Sequence, residues 1–234
     1  MKAIVLRRTV FGESDLVLRC LLESGEVRAF FAAGARKSLK RFPHRFDYAG
    51  IYEIDWRDSH GAERMQVLHR ADLVEHSPEM AADLERWTRW LVLLEWLSYH
   101  EDGALDFQAI MQVRTHLIED VVAAQEFHRF FLEQMRLHGL MPDWDQCVVC
   151  HSQIDGIRHF VMNLSGVAHP RCHPGVALSQ GSLRFLKSSD VAHISEIDAR
   201  QLDAITFPYL SQQLGRHLKS QSVFAQLSGQ ALPS

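Results

Sequence analysis

The chain has 234 residues, of which 47% are hydrophobic and 23% charged, and its formal net charge is −4. Folding a chain of this length buries roughly 70% of the unfolded surface, so a core can form without disulfides or a partner. The composition excludes a disordered tail, a collagen-like fibre and a low-complexity linker.

Apolar runs in the sequence are short. The longest, residues 91–97, is interrupted by Glu95 and falls well below the ~20 residues that a membrane span requires. The first apolar stretch, residues 3–6, is too short for a signal peptide. We therefore expect a soluble cytoplasmic protein.

Charge is distributed unevenly along the chain. Residues 1–45 contain ten Lys and Arg against four Asp and Glu, a net +6, whereas residues 46–234 contain 15 against 25, a net −10. Alternating basic and acidic faces on a soluble surface would give such a split. The split is also what a protein needs if one end lies on phosphates and the rest repels them.

The first 76 residues have the pattern of short strands. Leu16, Leu18 and Cys20 alternate with Val17 and Arg19 at a period of two. Five short strands joined by one long basic connection at 34–47 favour a closed barrel of the OB type, and a five-stranded SH3-like barrel fits the spacing nearly as well. The predicted strands cover residues 2–8, 15–22, 26–33, 48–56 and 65–74.

Helical patterns replace strand patterns from residue 77 onward. The Ser-Pro-Glu run at 77–79 is typical of a helix start, and apolar residues then recur at helical spacing. The predicted helices cover residues 77–100, 105–124, 126–140, 180–188 and 197–227. The predicted class is α+β multidomain, with an OB-type barrel domain at 1–76 and a helical domain at 77–234. An irregular loop at about 143–178 interrupts the helical domain.

That loop contains two pairs of metal-ligating residues. Cys147 and Cys150 form one pair, His169 and Cys172 form the other, and 18 residues separate the pairs. Three thiolates and one imidazole match the preference of zinc, and four protein ligands leave no open position for water or substrate. The sequence thus predicts a structural zinc site, with His173 as the alternative to His169. Small core cysteines are the competing interpretation.

A second signal is the basic segment at 34–45, which has five Lys and Arg in ten residues and no acid. Such a segment neutralises phosphates, and its Phe42 offers a ring on which an unpaired base can stack. A solvated loop is the competing interpretation. Arg19 lies in a flanking strand and extends the patch. The predicted DNA-binding residues are Arg7, Arg8, Arg28, Arg36, Lys37, Lys40 and Arg41.

Catalytic motifs are absent from the sequence. It contains no G-x-S-x-G, no P-loop, no G-x-G-x-x-G and no H-E-x-x-H. We expect a protein that is not an enzyme.

Short motifs along the chain resemble the RecO family of DNA repair and recombination mediators. They are the run at 2–8, the Gly-Glu-Ser-Asp turn at 12–15, the Gly-Ala-Arg run at 34–36 with its basic sequel, and the segment at 209–220 followed by Val223 and Phe224. Two positions depart from the family. Ala33 stands where a lysine is common, and His169 where zinc-binding members have cysteine.

The resemblance implies an N-terminal OB domain, a helical domain and a zinc loop. It also implies non-catalytic work: binding single- and double-stranded DNA, annealing complementary strands, and helping RecA load onto strands coated by single-strand-binding protein (SSB). Implied partners are RecR, the acidic phenylalanine-ended tail of SSB and, indirectly, RecA, with a nucleoid-associated cytoplasmic location.

For the SSB tail, the family places a pocket on the helical domain. Arg129 and Phe130 are the candidates, because the tail needs a cation for its carboxylates and an apolar slot. The competing interpretation is that Phe127, Phe130 and Phe131 belong to the core. Two other functions stay open: a protein-interaction adaptor with incidental DNA contact, and a zinc hydrolase, which four protein ligands disfavour.

Overall fold

The computed structural model describes residues 1–42, 46–57, 65–100, 105–119, 123–188, 193–220 and 223. The last three residues of the predicted basic segment, 43–45, and Phe224 of the C-terminal motif lie outside this part. The chain forms two units, one over residues 1–118 and one over residues 119–225. The predicted domain division at residues 76 and 77 stays a prediction, and the two units divide the chain later.

Five strands of the first unit form a closed barrel in the order β1-β2-β3-β5-β4. β5 lies between β3 and β4, so the order is that of a Greek key and not of a meander. β3 and β5 run parallel, and the other neighbours run antiparallel. The predicted OB-type barrel is confirmed. Its strands are β1 (Lys2–Phe11), β2 (Asp15–Leu22), β3 (Val27–Ala32), β4 (Gly50–Arg57) and β5 (Gln66–His76).

Alternation of side chains along β2 builds the barrel interior. Leu16, Leu18 and Cys20 are buried among apolar residues of the other four strands. Gly25, with φ +86°, makes the tight turn to β3, and its N–H donates to the Leu22 carbonyl over 2.8 Å. Only glycine adopts that backbone angle without steric cost. The period-two pattern thus fixes which face of each strand is inside.

β1 is longer than predicted and extends beyond the barrel wall. It pairs with β4 only from Lys2 to Ile4 but with β2 along its whole length, as far as Phe11 opposite Asp15. Burial ends at Leu6, and every residue from Arg7 to Phe11 is exposed. The last five residues of β1 therefore pair with β2 alone, while β2 itself stays paired with β3 from Leu16 onward. We call this end of β1, with the turn at 12–14 and Asp15, the arm.

Helices α1 (Leu84–Leu97) and α2 (Phe107–Glu119) complete the first unit. The predicted start at residue 77 is a 3₁₀ turn over Pro78–Ala82, and α1 itself begins after Asp83, whose carboxylate accepts the Arg86 N–H over 2.9 Å. Arg114 of α2 is buried, donates to the Ala49 carbonyl over 3.0 Å and forms an ion pair with Glu75. These bonds fasten α2 to the end of β5.

The helices α3 (Ala123–Leu137), α4 (Gln180–Ser188) and α5 (Glu196–Gln213) belong to the second unit. Between α3 and α4, where the sequence predicted an irregular stretch, lies a small sheet of order β7-β6-β8. Its strands have two or three residues each, too few for a periodic pattern to be recognised. They are β6 (His159–Val161), β7 (Gly166–Ala168) and β8 (Val176–Ala177).

The last predicted helix, 197–227, is wrong in its length. α5 ends at Gln213 because Gly215 takes the left-handed conformation, with φ +61°, and the Arg216 N–H turns back to the Ser211 carbonyl. A glycine in the left-handed conformation just after the last turn commonly terminates a helix. Among the described residues, no helix is both long and apolar enough to cross a membrane.

Candidate metal centre and nucleic-acid surface

The four predicted metal ligands meet at one point of the second unit. The sulfur atoms of Cys147, Cys150 and Cys172 and a ring nitrogen of His169 all lie within 4.8 Å of one another. His169 Nδ1 is 3.5 Å from Cys150 Sγ and 3.8 Å from Cys172 Sγ. A tetrahedral zinc ion, with bonds of about 2.0–2.3 Å, separates its ligand atoms by about 3.5 Å. The donor set and its spacing fit a zinc ion.

Two tight turns present these side chains. In the first, the His151 N–H donates to the Cys147 carbonyl over 2.8 Å, and His151 takes the left-handed conformation with φ +59°. In the second, the Cys172 N–H donates to the His169 carbonyl over 2.9 Å. Isolated bridges from Gln146 to Gln153 and from Cys147 to β7 hold the first turn on the small sheet.

His169 is the fourth member of the cluster, and His173 is not part of it. The Nε2 atom of His169 lies 3.2 Å from the Gln153 carbonyl, which leaves Nδ1 facing the three sulfurs. A hydrogen bond to the second ring nitrogen is the usual way in which a protein orients a metal-binding histidine. His173 instead directs its Nδ1 to the carbonyl of Pro174.

The surroundings of the cluster favour thiolates at Cys147 and Cys150, whereas burial raises the pKa of the Cys172 thiol. Burial of Cys147 opposes ionisation, but the N–H groups of Cys150, His169 and Val149 outweigh it and lower the pKa of its thiol to about 5. The hydroxyl of Ser152, 3.0 Å from Cys150 Sγ, is the main cause of the lowered pKa of that thiol. Thiolates are the form that binds metal ions, so this environment prepares two of the ligands.

The basic loop (residues 33–42) follows β3 at the edge of the barrel. Arg36, Lys37, Lys40 and Arg41, four of the predicted DNA-binding residues, are all exposed. The guanidinium of Arg36 donates to the Glu13 carbonyl over 3.1 Å, and that of Arg41 to the Ala33 carbonyl over 2.6 Å. Carbonyl partners orient these side chains but leave their positive charge uncompensated. In the described part of the chain, none of the four forms an ion pair with a carboxylate.

Asp15 fastens this loop to the arm. Its carboxylate accepts the Gly34 N–H over 2.7 Å and the Ser14 hydroxyl over 2.8 Å. The Gly34 bond is the main cause that holds the pKa of the Asp15 carboxyl below its usual value, followed by the Ser14 bond and, more weakly, the charge of Lys37. The Arg36 N–H in turn donates to the Ser14 carbonyl over 2.9 Å. Arm tip and loop therefore form one bonded structure.

The three predicted residues outside the loop do not share one surface. Arg7 faces outward, opposite Arg19 on β2, whereas Arg8 is paired with the inward-facing position of Leu18 and lies over the Tyr48 ring, 5.2 Å from its centroid. Arg28 lies at the far end of β3 from the loop and forms a 2.7 Å ion pair with Glu26. Arg19 itself donates to the His100 carbonyl over 2.9 Å.

Phe42 does not provide the stacking surface that the sequence predicted. It is 1% exposed, and its ring packs 5.4 Å from that of Phe46 in the barrel core. The loop ends by returning to the barrel interior, so this aromatic residue belongs to the apolar core. Within the described part of the loop no other aromatic residue is present.

Known proteins of one family match the chain along most of its length. A sequence model of the family described as "Recombination protein O C terminal" matches residues 115–222. A "DNA repair protein RecO" of Anaeromyxobacter sp. (strain Fw109-5) is 30% identical over 191 residues, which cover 76% of this chain and 71% of that protein. The chain belongs to the RecO family. The resemblance of its short motifs is thereby confirmed.

Other members of the RecO family match the chain over both units. The "DNA repair protein RecO" of Desulfatibacillum aliphaticivorans is 25% identical over 210 residues, covering 81% of this chain and 80% of that protein. That of Syntrophus aciditrophicus (strain SB) is 22% identical over 255 aligned positions, covering 99% and 96%. The likeness therefore includes the barrel as well as the helical part.

The two residues that the family resemblance suggested for the SSB tail lie on α3. Arg129 has 38% of its side chain exposed and forms a 2.5 Å ion pair with Glu126. Phe130 is only 8% exposed, and Phe127 and Phe131 are fully buried in an aromatic cluster. The cation is accessible, whereas the rings belong to the core of the unit.

One residue that supports the candidate metal centre was missed in the sequence. The nearly buried guanidinium of Arg158 donates to the carbonyls of Trp144, Ile154 and Gly156, over 2.7–2.9 Å, and to the Asp145 carboxylate over 2.9 Å. These bonds surround the turn that bears the first two cysteines. Its only signal in the sequence was a single arginine close to the short apolar run at 160–162.

Proposed function

We propose that this RecO-family protein is a DNA-binding recombination mediator that acts in DNA repair. The observation that carries the proposal is the group of four exposed cations on the basic loop, none of which forms an ion pair with a carboxylate in the described part of the chain; Arg36 and Arg41 hydrogen-bond to carbonyls instead. The relatives in Anaeromyxobacter and Desulfatibacillum are named DNA repair proteins, which supports the same role here.

Annealing is the activity that such a surface serves. Two complementary strands repel each other through their phosphates, and no covalent bond has to form or break when they pair. Cations that neutralise phosphates release condensed counterions and reduce the repulsion without regard to sequence. We therefore propose that the protein anneals complementary strands and works without catalysis.

We propose that the two domains have different functions. The barrel domain, residues 1–76, binds single- and double-stranded DNA mainly through the four loop cations, together with Arg7, which faces outward on the arm. Arg8 and Arg28 lie on other surfaces of the barrel, and DNA contact at Arg28 requires it to leave its ion pair with Glu26. The net charge is +6 over residues 1–45, which include the basic loop, +2 over the whole barrel domain and −6 over residues 77–234. The acidic helical domain repels phosphates, which supports this division. The helical domain, residues 77–234, serves the protein partners.

The partners that we propose are RecR, the acidic tail of SSB and, through SSB-coated strands, RecA. A mediator that helps RecA load onto such strands needs contact with both the DNA and its coating protein. For the SSB tail the support comes from Arg129, whose guanidinium is accessible to a carboxylate, more than from the covered ring of Phe130. A cytoplasmic, nucleoid-associated location follows from these partners.

We propose zinc as the metal and a structural role for it. Cys147, Cys150, His169 and Cys172 would hold the ion and fill all four positions of a tetrahedral site. When bound, zinc supplies cross-links between the two turns and no open position for a substrate. The residues of the chain then keep the 143–178 segment folded beside α4 and α5.

An annealing assay tests the proposal. Fluorescently labelled complementary strands are mixed with the protein, both bare and coated with SSB. We expect the protein to accelerate pairing of both kinds of strand, and a variant with Arg36, Lys37, Lys40 and Arg41 changed to glutamate to lose that acceleration. Pairing that is no faster with the protein than without it would contradict the proposal and leave the adaptor function instead.

A further inference from the structure

The arm of the barrel carries an exposed aromatic residue that no part of the sequence argument used. Phe11, the last residue of β1, is 59% exposed. Its ring contacts the edge of the sheet through Phe31 of β3, with ring centroids 5.8 Å apart and planes at 87°. Phe31 and its strand neighbour Val17 are half-buried, so the Phe11 ring stands on an apolar support.

Phe11 shares a face of the arm with a cation. Side chains alternate along a strand, so Arg7, Thr9 and Phe11 point to the same side of β1, and all three are exposed. Their partners on β2, Arg19 and Val17 among them, face outward from the barrel. The outer face of the arm therefore presents a cation, a hydroxyl and an aromatic ring in a line of about 13 Å.

The same ring lies beside the basic loop. Phe11 is paired directly with Asp15, and Asp15 accepts the Gly34 N–H at the start of that loop over 2.7 Å. The Arg36 guanidinium donates to the carbonyl of Glu13, two residues after Phe11. Hydrogen bonds thus join the arm, which carries the exposed ring, to the segment that carries the four cations.

We propose that Phe11 stacks on an unpaired base of a DNA strand whose phosphates lie on the basic loop. This inference rests on the proposed function and names a residue that makes the protein prefer single strands with accessible bases. Every base has a π-face, so stacking on an aromatic side chain tolerates any sequence. The bases of a duplex are already stacked on one another and offer no free face, so Phe11 favours single strands over duplex.

The cations of the arm and the basic loop favour a nucleic-acid strand as the partner of Phe11. An apolar protein partner would meet exposed Arg7, Arg36 and Lys37 around the ring without an acidic surface to match them. A nucleic-acid strand offers both complements at once, phosphates for the cations and a flat ring for Phe11. Phe42, buried in the barrel core, leaves Phe11 as the exposed ring beside the described part of the loop.

The test compares affinities of the full-length protein for three probes of equal length: an oligothymidylate, an abasic strand with the same phosphates, and a duplex. We expect Phe11→Ala to weaken binding of the oligothymidylate about tenfold and to leave the abasic strand and the duplex within twofold. Phe11→Leu keeps an apolar contact with Phe31 but has no π-system, so it should behave as Phe11→Ala. Phe11→Tyr should retain wild-type affinity.

Val10→Ala is the matched control, because Val10 is equally exposed at 59% but points to the opposite side of the same strand. It should leave all three affinities unchanged. If Phe11→Ala binds the oligothymidylate as the wild type does, the stacking inference is overturned while the basic loop keeps its role. If the wild type binds none of the three probes, the proposed DNA binding fails, and stacking fails with it.

Discussion

The basic loop and the metal-binding segment are both irregular by sequence, yet they use their charged side chains in opposite ways. In the segment at 143–178, Arg158 is turned inward and satisfies three carbonyls and a carboxylate. In the basic loop, Arg36 and Arg41 touch carbonyls but remain exposed. An inward cation fixes a fold, and an outward cation is available to a polyanion. The contrast separates a structural region from a binding region.

Metal removal should give the largest effect and should act on one region alone. Structural zinc contributes about 10–16 kcal/mol of folding free energy in zinc-finger peptides. We expect chelation, or Cys147→Ser, to raise amide hydrogen exchange throughout residues 143–178, while the amides of β1 to β3 keep their protection. Mass spectrometry of the intact protein reports the metal content.

Cys20→Ala is the control for that experiment, because Cys20 lies in the barrel interior away from the cluster. It should leave the metal content unchanged. Equal exchange at 143–178 in the metal-loaded and metal-free protein would show that the ion has no structural role. Loss of protection in the barrel as well would show that the two regions are not independent.

Substitution of Arg158 tests how far the protein's own hydrogen bonds, and not only the metal ion, stabilise the metal-binding segment. Arg158→Met keeps the length of the side chain but leaves three carbonyls without this donor, whereas the Asp145 carboxylate keeps its ion pair with Lys187. Unpaired buried groups of this kind cost about 2–4 kcal/mol in the free energy of unfolding, which urea titration of the metal-loaded protein measures.

Arg200→Met is the matched control for Arg158→Met. Arg200 forms an ion pair with Glu196 on the surface of α5, where its side chain is 55% exposed. An exposed pair of this kind contributes less than about 1 kcal/mol. Equal losses for the two variants would show that Arg158 does not brace the metal-binding segment.

The attachment of the basic loop should show a smaller effect with a defined pH dependence. The pKa of Asp15 is lowered in the folded protein, mainly by the Gly34 N–H. Its contribution to stability is therefore complete above the unfolded-state pKa of about 4 and is lost as pH falls through the folded-state pKa. Between pH 6 and pH 3, we expect the free energy of unfolding to decrease less for Asp15→Asn than for the wild type.

Asp55→Asn, at an exposed position of β4, removes the same charge without a bond to the loop. It should retain the wild-type pH dependence. If Asp15→Asn and Asp55→Asn have the same dependence, the hydrogen bonds of Asp15 do not fasten the loop to the arm.

Local patterns were enough to predict much of this molecule. The strands of the barrel follow from period-two alternation and from the turn at Gly25, and the metal cluster follows from the spacing of Cys147, Cys150, His169 and Cys172. Each of these features is encoded within a few neighbouring residues, so the sequence carries it directly.

Features that depend on distant residues were not predictable in this way. Phe42 has the same local sequence whether it points to solvent or into the barrel, and only closure of the barrel places it beside Phe46. The bonds of Arg158 reach up to 14 residues back along the chain. Phe11 is exposed because β1 continues beyond Ile4, its last residue that pairs with β4. Where that pairing ends depends on the register between the two strands and not on the sequence of β1 alone.

The salt dependence of DNA affinity tests the central claim, that the exposed cations of the basic loop bind phosphates. Four phosphate contacts with a single strand give a slope of about −3 in a plot of log affinity against log salt. The account predicts that changing Arg36, Lys37, Lys40 and Arg41 to glutamate lowers the affinity and removes that slope. The same four changes at Arg136, Arg184, Arg200 and Arg216, all exposed in the second unit, should preserve it. An unchanged slope in the loop variant would contradict the account.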